Sequence, residues 1–312
     1  MAGMDMTTSL TSSLVLRTPV LAASGTFGFG NEVSDLTDAA ELGALITPTL
    51  TVDPRAGNPM PRTVEAHSGI LHALGMPNAG LESFVQEIVP ALRDRPYPIV
   101  VSVWGEDREE WERLVEALTQ TGVVAGLELN LMPANRLFVE RCSEPPLSES
   151  RQLEKLAATV AAVRRVTALS LIAKLPAVGM EIGMAAQVAE AAGADCIAVS
   201  QAFPGVAVRL SAGGFRLPGV VGGLSGPAIK PLALYQVWRV AQCVTVPIIG
   251  SGGIMTADDA LEFLMAGASA VAVGVATLVH PTACASITQG IQRYMTHNGV
   301  ENLSAVVGAA LR

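Results

Sequence analysis

A chain of 312 residues can hold one large α/β barrel or two ordinary domains, and no low-complexity or linker-like stretch divides this one. Half of its residues are hydrophobic and only 15% are charged, against ~25% in an average domain, so much of it must be buried on both faces, as parallel strands under helical cover are. The net charge of −8, with no cluster of Lys or Arg, argues against a nucleic-acid or anionic-membrane partner and leaves room for a subunit interface.

In chain order, the first expected strand is 20–23, running into the glycine-rich loop Ser24 to Gly30 with its two aromatics. A helical stretch at 39–42 and a second strand at 44–47 follow. Residues 49–80 read as a long non-periodic insertion rich in Pro, Gly and Asn, and a loop of that length inside a compact domain is usually functional. An amphipathic segment at 81–92, a strand at 99–103, a polar-faced helix at 106–119 and a strand at 126–131 come next. A second insertion, 133–149, precedes a helix at 150–166, a strand at 169–175, a helix at 182–192 and a strand at 196–200. A third insertion, 203–223, leads to a helix at 231–243. The pattern closes with strand 246–250, helix 257–266, strand 270–274 and helix 283–297. Eight strands alternating with helices give the (β/α)8 count in a single domain, 1–312. An open doubly wound sheet is disfavoured because no GxGxxG follows the first strand.

The last two strands carry the strongest local signal. Gly250, Gly252 and Gly253 follow one apolar run, Thr256 and Asp259 form the pattern of a capping box, and Gly274 ends the next run. Two glycine turns one βα unit apart present backbone N–H groups at the same edge of a sheet, which suits a phosphate. In a barrel the chemistry collects at the C-terminal strand ends, where this sequence puts Ser24, Thr47, Ser102, Asn130, Lys174, Ser200 and Gln201. Lys174 is the most informative, because a lysine closing the apolar run SLIAKL needs an anion or an electron-rich ligand atom. Asn130 and Asn135 offer paired amides for a planar heterocycle. No pair of the four histidines has metal-ligand spacing, so no metal is expected. The four cysteines lack CxxC spacing, and the first sixteen residues lack the basic region and long apolar core of a signal peptide. A reduced, cytoplasmic chain without a membrane span is therefore expected.

Four stretches together resemble the dihydroorotate dehydrogenase family, of the type whose catalytic subunit pairs with an iron–sulfur flavoprotein: ASGTFGFG from Ala23, PRAGNPMPR from Pro54, GLSGPAIKP from Gly223 and GSGGIMTADDALEFLMAGASAVAVG from Gly250. The resemblance implies an FMN-binding (β/α)8 barrel that oxidises a small substrate and passes electrons on, as a homodimer or a hetero-oligomer with an electron-transfer subunit. It implies a phosphate site at Gly252, Gly253, Gly274 and Val275, with Ser225 and Gly226 nearby. It also implies a flavin site along Ala23, Ser24, Thr47, Ser102 and Asn130, with Lys174 neutralising charge on the ring.

The departures from the family pattern fall on the substrate side. The family's catalytic base position is Pro133, its lysine after the second strand is Pro48, its substrate-binding asparagine is His72, and its Asn-Thr or Asn-Ser pair is Gln201-Ala202. Asn130, Asn135 and Gln201 remain to bind a substrate. His72, with an imidazole suited to proton transfer near neutral pH, and Cys142, in the loop that should cover the site, are the residues able to restore acid–base chemistry beside Lys174. The reading is an FMN oxidoreductase whose small C=C or C–C substrate differs from dihydroorotate. The alternatives are a catalytically silent barrel kept as a partner subunit or flavin-binding scaffold, and a genuine dihydroorotate dehydrogenase of pyrimidine biosynthesis.

Overall fold

The computed structural model describes residues 4–30, 32, 42–131, 148–211 and 213–312. Eight parallel strands close into a barrel: β1 (Val20–Ala22), β2 (Ala44–Ile46), β3 (Ile99–Val103), β4 (Val124–Asn130), β5 (Ser170–Lys174), β6 (Cys196–Val199), β7 (Ile248–Ser251) and β8 (Ala270–Val273). The seam is made by β8 on β1, with Val271 beside Val20 and Val273 beside Ala22. The expected (β/α)8 class is what is found, with strand bounds shifted by one or two residues at most ends.

Alternation along each strand builds two packed layers. On β1 and β4, Val20, Ala22, Leu127 and Leu129 join the shell between barrel and helices. Leu21, Ile46, Val100, Ile172, Cys196 and Ile249 turn the other way into a separate interior cluster. That interior is plugged from below by a short antiparallel hairpin, Thr8–Ser9 with Val15–Leu16, whose Leu10, Leu14 and Leu16 are buried in the same cluster. Hydroxyls of Thr11, Ser13 and Ser170 tie the hairpin to the foot of β5. The helix Ala257–Met265 carries the capping box expected of Thr256 and Asp259.

Two of the insertions are not irregular. Within 49–80 a hairpin forms from Thr63–Ala66 and Gly69–His72, and the 203–223 stretch contributes Phe203–Val206 and leads into Val221–Ser225. These four strands make one antiparallel sheet over the mouth of the barrel, joined where Gly223 pairs with His72 and Leu224 with Leu71. Each strand is short, and the pairing that joins the two halves links residues about 150 apart in sequence, so local pattern could not reveal the sheet. The insertion expected at 133–149 and the helix expected at 39–42 fall almost wholly outside the described residues.

Candidate active site

A cavity of about 550 Å³ opens at the C-terminal ends of the strands, between the barrel and the antiparallel roof. That volume is in the range of small-molecule sites. Of the residues expected from sequence, Ala23, Ser24, His72, Asn130, Lys174 and Gln201 line it, and so do Ser225, Gly226, Gly252, Gly253, Gly274 and Val275. Thr47 and Ser102 do not. Both are fully buried behind the wall, where the Thr47 hydroxyl accepts from the Ser102 N–H and the Ser102 hydroxyl bonds Thr49. Thr49, which sequence reasoning passed over, takes their place at the surface of the cavity. Asn135 and Cys142 lie outside the described residues.

One end of the cavity is lined by a cluster of glycines. Gly226 (φ 106°), Gly252 (φ 118°) and Gly253 (φ 77°) adopt backbone conformations that other residues rarely take. Gly253 has a second reason to be glycine, which differs from the phosphate clearance expected of it: an added Cβ would lie 2.7 Å from the backbone nitrogen of Lys230. Gly274 is the open position, where an added Cβ would meet only Ala23 and Thr26, at 3.7 Å. Lys230 is committed to Asp259 (2.6 Å) and Glu262 (2.9 Å). An anion held here therefore relies on backbone N–H groups.

The floor at the other end is polar. The Asn130 amide donates to Thr49 Oγ1 at 3.1 Å and accepts from the Gln201 amide at 2.7 Å, forming one connected hydrogen-bonding edge from β2 to β6. Lys174 Nζ lies 3.3 Å from Oε1 of Glu128. Glu128 is a residue that sequence reasoning missed, although only Leu129 lies between it and Asn130 on β4 and alternation puts both inside the barrel. From the roof, His72 Nε2 stands 3.1 Å from Ser225 Oγ. Burial pushes the His72 imidazole below the ordinary histidine range, so its neutral form is favoured at neutral pH. Burial, then the Asp195 carboxylate, pushes the Cys196 thiol up, which leaves that residue a packing group inside the barrel.

A glycine-lined end, a floor of paired amides and a single lining lysine together fit a phosphorylated, planar cofactor such as FMN. Comparison with known proteins agrees: the family model described as Dihydroorotate dehydrogenase matches residues 6–295. The chain belongs to the dihydroorotate dehydrogenase family. It is thereby a flavin-dependent oxidoreductase. Within the family it is 41% identical to "Dihydroorotate dehydrogenase B (NAD(+)), catalytic subunit" of Geotalea daltonii, over 99% of both chains. It is 42% identical to the protein of the same description from Trichlorobacter lovleyi, over 95% of this chain and 96% of that one. A solved dihydroorotate dehydrogenase from Eimeria tenella, in complex with ferulenol, shares the fold with a TM-score of 0.77 at 20% identity, over 98% of this chain and 89% of its own. Among the described residues of this family member, no group of three or more His, Cys, Asp or Glu is placed to hold a metal, and no helix is long and apolar enough to cross a membrane.

Proposed function

We propose that this chain is an FMN-binding catalytic subunit that moves hydrogen at a carbon–carbon bond of a small cyclic substrate other than dihydroorotate. The observation that carries the reading is the pairing across one cavity of a retained flavin side with an exchanged substrate side. On the retained side are the glycine turns, Lys174 and Asn130; on the exchanged side are Pro48, His72 and Gln201. FMN, when bound, supplies the two-electron acceptor. The chain's own part is binding and proton management. The backbone around Gly226, Gly252 and Gly274 would hold the phosphate, and Lys174 the electron-rich edge of the ring. The Asn130–Gln201 edge would orient the substrate, and Asn135 is proposed for the same task. His72, neutral and hydrogen-bonded to Ser225, can take or give a proton at Nε2, and Cys142 is the second group proposed for that task. The names of the relatives support a partner as well: we take the chain to work with an electron-transfer subunit, in the cytoplasm.

A second reading, dihydroorotate itself as substrate, is favoured by the 41% identity to the Geotalea protein over nearly the whole chain. Anaerobic addition of dihydroorotate to the flavin-loaded protein separates the two. An unbleached flavin band that a chemical reductant does bleach supports the altered substrate, whereas rapid bleaching at low concentration would establish dihydroorotate. With whichever substrate bleaches the flavin, His72→Ala should slow reduction by ~10²–10⁴ while flavin content stays the same. Unchanged reduction would remove His72 from the chemistry.

A further inference from the structure

Glu128 is the one buried carboxylate among the described residues, 1% exposed inside the barrel, and its partner is Lys174, 17% exposed at the cavity floor. Neither side chain is placed there by packing alone. A carboxylate in such a position is costly unless paired, and a lysine on a flexible four-carbon stem would otherwise sample several positions at the cavity mouth. Alternation on β4 and β5 sets the pair. Asn130 is level with Lys174 in the strand register and Glu128 with Ile172, so the carboxylate sits one layer below the ammonium and draws it toward the barrel axis. The other titratable groups that face this space are His72 in the roof and Cys196 on β6.

We propose that Glu128 is a positioning residue for the flavin: it fixes the Lys174 ammonium against the ring and offsets part of its positive charge, and so sets the flavin's reduction potential. This rests on FMN occupying the cavity as proposed above. A full positive charge beside the electron-accepting edge of a flavin stabilises the electron-rich, reduced form, and charge near that edge is one of the levers by which a protein tunes this cofactor. Glu128 holds that lever below its maximum.

The test measures the potential of the bound flavin in four proteins: native, Glu128→Gln, Lys174→Met and the double replacement. Glu128→Gln leaves an unbalanced ammonium and should shift the oxidised-to-reduced ratio roughly tenfold toward the reduced form, about 30 mV for a two-electron couple. Lys174→Met should move it the opposite way, and the double replacement should lie between. Glu128→Asp, which keeps the charge, should lie closer to native than Glu128→Gln does. A purely structural role would lower flavin content or melting temperature without moving the two single variants in opposite directions. A Glu128→Gln potential equal to native, or moved in the direction of Lys174→Met, overturns the proposal while leaving the flavin assignment intact. A protein that takes up no FMN overturns both. Should Glu128→Gln fail to fold, recovery of folding in the double replacement supports the charge pairing, and failure there too overturns it.

Discussion

His72 shows how much a single side chain's surroundings add to its identity. The sequence offered an imidazole in a long insertion; the structure puts it on a strand, facing the cavity and bonded to Ser225. Because burial lowers its pKa in the fold from the reference 6.5, the unfolded chain binds more protons as the pH drops through and below that value. The contribution of neutral His72 is therefore complete above the unfolded pKa and is lost toward the lower, folded one. We expect stability to fall as the pH drops below the reference value of 6.5, by no more than ~1.4 kcal/mol per pH unit from this one proton. His72→Gln should flatten that part of the profile, and urea denaturation at several pH values checks it. Lys174 and Asn130 were legible from sequence because each closes an apolar run. Thr49 and Glu128 were not. Thr49 looked like one more residue of an irregular stretch, and nothing local says that Glu128 would be enclosed.

The glycine turns after β7 and β8 show what a motif reveals and what it hides. Their spacing gave the βα unit and its capping box directly. It did not distinguish a glycine needed by the chain from one that leaves room for a ligand. Gly253, with positive φ and Lys230 packed against it, belongs to the first kind. Gly253→Val should lower the melting temperature, at a cost of about 1–3 kcal/mol, whatever it does to flavin. Gly274, with open space around its Cα, belongs to the second. Gly274→Ala, which adds one methyl to that space, should destabilise the fold less than Gly253→Val does and lower flavin affinity. Thermal melts of both flavin-free proteins, with fluorescence titration of FMN into each, check this pair. Equal flavin loss with equal destabilisation would show that the two positions do the same job. The roof was missed for a different reason: its two short strand pairs meet only where Gly223 lies beside His72, and propensity carries no information about a pairing of that range.

The barrel is one cooperative object because its first and last strands pair, so a ligand bound at the mouth should stabilise the whole and not a segment. FMN at about a hundredfold excess over its Kd should add ~2.7 kcal/mol, seen as a single unfolding transition displaced upward by several degrees. A melt in which only part of the signal moves would contradict a single unit. The architecture was legible in the sequence because eight apolar runs alternate with helical stretches, and 50% hydrophobic with 15% charged residues suits strands covered on both sides. The N-terminal hairpin was invisible for the opposite reason: two strands of two residues each leave no periodicity to detect, although Leu10, Leu14 and Leu16 seal the bottom of the interior. The division of labour between barrel and roof has a further effect on how such a protein can change. The staves carry the folding energy, whereas the canopy above them is stitched from two excursions and lowers His72 onto the same chamber. On the function proposed above, selection could exchange a residue of the canopy such as His72 for a new metabolite without first risking the ability of the staves to fold.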